Sequence, residues 1–233
     1  MSETRFRDIF CLDPECWEWE LVEAKGTIPP ARHSHVACSL ADQCLVIHGG
    51  SGLAGTLGDV CIFNVEQSSW QLAPDMNGPS PSPREMHCGC MIDQQSLLVY
   101  GGRDPEGKIL CDAAVLNIKE MWWRTIEPTP FSRCAHSIVT LAPRDAEPLI
   151  LIYGGFGGEE VEGDVLRIDP SSLEIEVVRR GPRETDAPAS VPQPRFAHAA
   201  VSLVMPGGDA VMLVVGGVNQ DNDLIDIAIY YSG

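Results

Sequence analysis

Positive charge is scarce in this sequence. Its 233 residues include 16 lysines and arginines against 33 aspartates and glutamates, which leaves a formal net charge of −17. A chain of this charge repels phosphate backbones and anionic lipid surfaces, so the composition argues against binding to nucleic acid or to anionic membranes. The same charge keeps a protein soluble and favours basic partners.

Long hydrophobic runs are missing as well. The longest apolar segments, such as residues 149–153 and 211–215, are the size of a single strand, and none approaches the roughly 20 residues that a membrane-spanning helix needs. The start of the chain, MSETRFRDIF, contains no apolar segment of the kind found in a secretory signal. We therefore expect no membrane insertion and a cytoplasmic location, with a nuclear one left open.

The sequence has nine cysteines but no Cys-x-x-Cys pair. An odd number prevents complete pairing into disulfides, and several of the cysteines lie within apolar segments. Cys88 and Cys90 are two residues apart, which puts both thiols on one face of a strand, where they suit either a metal or a redox pair. Free core cysteines in a reducing compartment are the favoured interpretation, and we expect no metal and no cofactor.

One pattern recurs along the whole chain. An arginine is followed three residues later by a histidine, then by an apolar run that ends in two glycines, and then by an aspartate ten or eleven residues after the first glycine. In two units a tryptophan stands eleven residues after the aspartate. The motif residues are Arg32 and His35, Arg84 and His87, Arg133 and His136, and Arg195 and His198, with the aspartates Asp59, Asp112, Asp164 and Asp226 and the tryptophans Trp70 and Trp123.

The N-terminus follows the same register, because Asp8 precedes Trp19 by eleven residues. The chain is therefore interpreted as one repetitive domain spanning residues 1–233. It comprises a half repeat at 1–25, complete repeats at 32–78, 84–128 and 133–180, and a partial repeat at 195–233.

Each complete unit contains four short strand-like segments separated by turn residues, and no stretch has a helical apolar period. The second segment of each unit is apolar without alternation, which predicts a strand buried on both faces. The tryptophan supplies apolar area for packing between units. Buried arginine, histidine and aspartate are costly alone, so their recurrence indicates that they bind one another or backbone groups in every unit.

A repeat of about 50 residues with four strands and a glycine doublet resembles the kelch family. The resemblance implies an all-β propeller of radial, four-stranded antiparallel blades. Kelch propellers generally have six or seven blades, so we expect an arc of about four to five blades, with the polypeptide continuing past residue 233 or the open ends covered by another copy.

Kelch propellers usually bind partners on the face formed by the strand 2–3 loops and the connections between blades. Here those loops are 51–58, 103–110, 156–163 and 218–225, and the connections include 74–83, 127–132 and 180–194. The two middle residues of each Arg-x-x-His motif are expected to edge the central channel. The candidate partner-binding residues are Ser34, Met86, Arg103, Lys108, Phe156, Glu159, Glu160, Phe196 and Asn219.

Catalytic signatures are not found in the sequence. It has no GxSxG, HExxH or phosphate-binding glycine loop, and most of its six histidines belong to the repeat. The resemblance therefore favours a non-catalytic module that binds a protein or peptide, such as a substrate adaptor or a trafficking or cytoskeletal scaffold, with self-association through open propeller edges as a further expectation. The alternative is a sugar-binding or sugar-isomerising propeller enzyme, whose residues need no local motif.

Overall fold

The computed structural model describes residues 6–41, 43–73, 76–126, 128–181 and 192–231. Within these ranges the chain forms strands and turns but no helix, and hence no helix able to cross a bilayer. The strands are β1 (Ile9–Leu12), β2 (Trp19–Val22), β3 (Lys25–Gly26), β4 (Arg32–His33), β5 (Val36–Leu40), β6 (Cys44–Gly52), β7 (Gly55–Asn64), β8 (Ser69–Leu72), β9 (Cys88–Met91), β10 (Ser96–Tyr100), β11 (Ala113–Asn117), β12 (Trp122–Ile126), β13 (Ser137–Leu141), β14 (Leu149–Tyr153), β15 (Val165–Ile168), β16 (Ile175–Arg179), β17 (Ala199–Val204), β18 (Ala210–Val215) and β19 (Ile227–Tyr231).

The strands pair into five sheets. We call them the N-terminal sheet (β1–β2), the first blade (β3–β8), the second blade (β9–β12), the third blade (β13–β16) and the C-terminal sheet (β17–β19). In the second and third blades, and from β5 to β8 of the first blade, successive strands pair antiparallel in a simple meander. The two-residue strand β3 is an addition that the repeat pattern does not predict, since it pairs in parallel with the outer strand β8.

The blades are arranged side by side around a channel. Their first strands pack against one another in the order β5, β9, β13, β17, and a separate hydrophobic cluster fills the space between each sheet and the next. The predicted all-β fold of radial, four-stranded antiparallel blades is confirmed. Within the described ranges, no strand of the N-terminal sheet pairs with the C-terminal sheet.

The central strands explain the apolar segments without alternation. In β10 all five residues are buried, with Leu97 and Val99 packing toward the first blade and Leu98 and Tyr100 toward the third. Each face of the strand therefore contributes to a different blade junction, and a polar residue on either face would lie in a core.

The repeat tryptophans have two different environments. Trp70 packs against the N-terminal sheet and Trp123 against the first blade, and both are buried. Trp19 lies at the same repeat position but is 67% exposed. The expectation that the recurrent tryptophan fills a junction between blades does not hold for Trp19, because no sheet lies on its side of the N-terminal sheet within the described residues.

Candidate functional site

The mouth of the channel is formed by residues between each repeat arginine and its histidine. The third residue of every motif has left-handed backbone, with φ of 54° at Ser34, 53° at Met86, 51° at Ala135 and 53° at Ala197. The Met86 N–H donates to the Ser34 carbonyl (3.0 Å), the Ala135 N–H to the Met86 carbonyl (2.8 Å) and the Ala197 N–H to the Ala135 carbonyl (2.8 Å). These bonds form a main-chain series from blade to blade, which we call the channel ladder.

Main-chain pairing also joins the second motif residue to the residue that follows the glycine doublet. The pairs are His33 with Ser51, Glu85 with Arg103, Cys134 with Phe156, and Phe196 with Val218. This pairing brings the start of each unit beside its own strand 2–3 loop. Residues about twenty positions apart in sequence therefore meet at the channel mouth in all four units.

The repeat arginines stabilise this framework through hydrogen bonds. Each donates from Nη1 to the carbonyl of the first glycine of its own doublet, at 2.9–3.0 Å. Arg32, Arg84 and Arg195 also donate through both Nη atoms to the carboxylates of Asp59, Asp112 and Asp226. The hydrogen bond from Arg195 lowers the pKa of the Asp226 carboxyl.

The third blade departs from this arrangement. Arg133 is 1% exposed, yet its one side-chain hydrogen bond within the described residues is to the Gly154 carbonyl, and its Nε has no partner there. Asp164 instead accepts from the Gly181 N–H (2.6 Å) and from Arg180 (3.3 Å). Burial lowers the pKa of Arg133, since no bonded carboxylate compensates the loss of solvent.

The glycine doublet permits the close approach of neighbouring blades. Gly101 and Gly102 have φ of 62° and 98°, and a Cβ on Gly101 would lie within 2.4 Å of the Arg133 carbonyl oxygen. The Gly102 N–H donates to that same carbonyl at 2.9 Å. A side chain at Gly101 would therefore push apart the second and third blades.

Three of the motif histidines, His87, His136 and His198, lie between blades beside the channel ladder, whereas His35 is exposed. His87 and His48 form a buried pair with 3.0 Å between Nε2 and Nδ1, and burial lowers the pKa of His48 to about 3. His136 packs against the edge of Tyr100, and His198 Nε2 lies 2.7 Å from Ser137 Oγ. Neutral imidazoles of this kind fill space in the junctions and present no charge to a partner.

A pocket of about 920 Å³ opens at the channel mouth. Most of the candidate partner-binding residues line it, together with residues of the channel ladder and of three strand 2–3 loops. Its floor and walls include Met86, Ala135 and Ala197, and the rings of Phe156 and Phe196 lie 6.3 Å apart at one side. The lining residues are Ser34, Met86, Arg103, Phe156, Phe196 and Asn219 among the candidates, and Ile109, Val161 and Gln220 among residues not singled out from the sequence.

An acidic cleft of about 580 Å³ adjoins this pocket and shares Gly107, Ile109 and Gly158 with it. The candidate residues Glu159 and Glu160 line the cleft, and so does Glu162. Burial raises the pKa of Glu162, with Arg133 opposing that shift and Asp164 and Glu160 adding to it. The cleft thus gathers negative charge beside an apolar surface.

Two candidate residues have contacts that qualify their role. Arg103 donates to Glu85 Oε1 from both Nε and Nη2, and Glu85 is buried, so most of the positive charge of Arg103 is neutralised within the protein. The Asn219 side-chain oxygen accepts from the N–H groups of Asp221 and Asn222 and shapes its own loop. Lys108 is exposed and lies between Gly107 and Ile109, which line both the pocket and the cleft, but Lys108 itself lines neither.

The cysteines are free thiols, of which Cys61, Cys90 and Cys134 are buried. Burial raises the pKa of Cys90 to about 12, and burial together with neighbouring thiols raises that of Cys88 to about 12. Thiols so shifted are poor nucleophiles and poor ligands at neutral pH. In the described part of the chain, no group of three or more histidine, cysteine or acidic side chains is arranged to hold a metal ion.

Parts of the predicted binding face lie outside the described residues. They are residues 182–191 of the connection 180–194, residues 74 and 75 of the connection 74–83, and residue 127 of the connection 127–132. The strand 2–3 loops 103–110, 156–163 and 218–225 contribute to the pocket, and the first two of these loops also form the cleft.

Comparison with known proteins matches this chain to a family model described as the KLHDC2/KLHL20/DRC7 Kelch-repeats domain, over residues 1–155 and 57–232. Adagio protein 3 of Arabidopsis thaliana is 30% identical over 225 residues, which cover 91% of this chain and 35% of that protein. Adagio-like protein 1 of Oryza sativa subsp. japonica is 32% identical over 231 residues, covering 93% of this chain and 34% of the relative. Rab9 effector protein with kelch motifs of Bos taurus is 24% identical over 165 residues, covering 69% of this chain and 43% of the relative.

The chain therefore spans about a third of the length of the two plant relatives. None of the three relatives is named for a catalysed reaction.

Proposed function

Since this chain belongs to the kelch-repeat family, we propose that it is a non-catalytic interaction module that binds a protein or peptide partner at the mouth of its channel. The observation that supports this proposal most is that the pocket combines a constant framework with side chains that vary. Main-chain bonds, glycines and buried arginines form the framework, while the side chains that line the pocket differ from unit to unit. A constant framework with variable side chains is typical of repeat proteins that bind other proteins.

The name of the bovine relative, a Rab9 effector, supports a role of this chain in trafficking. Roles as a substrate adaptor or a cytoskeletal scaffold use the same binding face and differ only in the partner. The free, partly buried thiols support a cytoplasmic location. The net charge of −17 supports a basic partner and disfavours nucleic acid.

The geometry of the pocket gives little support to the enzymatic alternative, a sugar-binding or sugar-isomerising propeller. His87, His136 and His198, which line the pocket, are held between blades with lowered pKa values, and the guanidinium of Arg103 is bonded to Glu85. Neither group is placed as a free acid or base over the pocket.

A blocking substitution tests the proposal. Ala197 is exposed in the pocket and has a φ that arginine tolerates at modest cost, so Ala197→Arg should fill the mouth without disturbing the core. Affinity capture with the wild-type chain, with Ala197→Arg and with Glu66→Arg should yield proteins that are lost only with Ala197→Arg. Glu66 is an exposed control in the turn between β7 and β8, at the opposite ends of the strands. Equal recovery of every protein by all three forms would contradict binding at this mouth.

A further inference from the structure

The pocket and the acidic cleft are two halves of one surface. Met86, Phe156 and Phe196 give the pocket an apolar wall, and all three side chains are only partly buried. The cleft begins where that wall ends, because Gly107, Ile109 and Gly158 belong to both. A ligand that occupies the pocket therefore lies directly beside the glutamates.

The negative charge of the cleft comes from its three glutamates. Glu159 and Glu160 are exposed, Glu162 is half-buried, and within the described residues none of the three forms an ion pair. The nearest arginine of the neighbouring loop, Arg103, is already bonded to Glu85. The buried Arg133 attracts Glu162 without bonding to it, whereas the exposed Glu159 and Glu160 present their negative charge to whatever enters the site.

An apolar surface beside unpaired carboxylates discriminates between classes of partner. An acidic segment would be repelled, and a purely apolar one would leave the exposed carboxylates of Glu159 and Glu160 without a cationic partner. A lysine or arginine next to an apolar residue satisfies both halves at once, because the apolar side chain covers the phenylalanines while the cation pairs with the glutamates.

From this complementarity, and resting on the proposed function above, we infer that the channel mouth binds a peptide segment in which an apolar side chain lies within about three residues of a lysine or arginine. The apolar side chain occupies the pocket beside Phe156 and Phe196, and the cation lies in the cleft of Glu159, Glu160 and Glu162. The apolar contact in the pocket supplies affinity, whereas the cleft supplies selectivity and a faster association rate.

Selection from a random peptide library tests the inference. The library is displayed on phage and panned against the wild-type chain, and the enriched sequences are made as fluorescent peptides for anisotropy titrations. We expect enriched peptides to combine lysine or arginine with a nearby apolar residue, and binding to weaken as salt rises from about 0.05 to 0.5 M.

Two matched double variants distinguish the effect of charge in the cleft from an effect on folding or on net charge. Glu159→Lys with Glu160→Lys should weaken binding at least about tenfold, since both residues are exposed and their replacement removes charge complementarity without touching the core. Glu66→Lys with Glu120→Lys changes the net charge by the same amount. These two residues lie in exposed turns between third and fourth strands, at the far end of the blades, so this pair should leave binding unchanged.

The outcomes distinguish this inference from the proposed function. If binding is lost with Ala197→Arg but survives in the Glu159/Glu160 variant, or if the selected peptides lack basic residues, the partner chemistry is wrong although the mouth still binds peptides. If Glu66→Lys with Glu120→Lys weakens binding as much as Glu159→Lys with Glu160→Lys does, the effect is one of net charge and the inference is also overturned. If no peptide is enriched, or if Ala197→Arg has no effect, both proposals fail.

Discussion

The blade junctions in the middle of the molecule and the faces at its two ends are built from the same repeat positions, but they differ in what covers them. Trp123 is 1% exposed against the first blade, whereas Trp19 is 67% exposed on the N-terminal sheet. On the C-terminal sheet, Ile227, Ile229 and Tyr231 are 63%, 50% and 61% exposed. The repeat pattern therefore specifies a surface suited to a neighbour, and burial depends on whether a neighbour is present.

The largest loss of stability should come from replacing Trp123, the tryptophan that the first blade covers. Trp123→Ala should lower the free energy of unfolding by about 3–5 kcal/mol, because it opens a cavity in the junction between the first and second blades. Trp19→Ala should change it by less than about 1 kcal/mol, since most of that side chain is already in water. Urea denaturation of the two variants measures both values, and equal losses would mean that the two positions do not differ as described.

A second experiment asks whether the interior junctions are equivalent to one another. Asp112→Ala should cost roughly 2–4 kcal/mol, because it leaves the fully buried guanidinium of Arg84 without its carboxylate. Asp164→Ala should cost about 1 kcal/mol, because Asp164 bonds the Gly181 N–H and an exposed arginine and leaves no buried charge behind. The same unfolding measurement applies, and a larger loss for Asp164→Ala would show that Arg133 depends on that carboxylate after all.

The buried histidines give the interior junctions a pH dependence. Burial lowers the pKa of His48 to about 3 and that of His198 to about 4, while unfolded histidine titrates near 6.5. The unfolded chain therefore binds more protons in this range, so stability is full above about pH 6.5 and falls as the pH decreases. Each such histidine contributes a slope of up to about 1.4 kcal/mol per pH unit.

His48 stands where Tyr100 and Tyr153 stand in the next two units, which suggests His48→Tyr as the test. The variant should lose the contribution of one proton to the slope between about pH 4 and 6.5, measured by thermal unfolding across that range. An unchanged slope would assign the pH dependence to other groups.

The smallest expected effect is weak self-association through the faces at the two ends. Their exposed apolar side chains should make the chain self-associate weakly at high concentration, as proposed for the open propeller edges. Sedimentation equilibrium should give an apparent mass that rises above 25.3 kDa with concentration, and Leu21→Ser with Ile229→Ser should reduce the rise. A constant mass of a single chain at every concentration would contradict this.

Much of the fold follows from the sequence because its signals are local. The apolar segments, the glycine doublets and the spacing of Arg84 and Asp112 predict strands, turns and their order, and these features depend on residues within a single unit. The bidentate bond between Arg84 and Asp112 fits the expectation that buried charges of the repeat satisfy one another.

Relations between units, and between a repeat and its surroundings, are harder to predict from sequence. Arg133 and Asp164 have the same spacing as Arg195 and Asp226 but form no bond, because Asp164 accepts from the Gly181 N–H instead. The strand β3 (Lys25–Gly26) pairs with the outer strand of the first blade, and no local sequence pattern predicts this pairing. For the site, Ile109 and Val161 carried a usable signal, since each is an apolar residue five or six positions after the residue that follows the glycine doublet.

The channel ladder has a consequence for how such a molecule changes over generations. Its bonds use main-chain groups alone, so a new side chain at Met86 or Ala135 costs no hydrogen bond, provided that it tolerates a φ near +50°. Proline and β-branched residues are the costly replacements. Selection can therefore alter the mouth one residue at a time through intermediates that all fold, and an old partner can be exchanged for a new one without any step that sacrifices the scaffold.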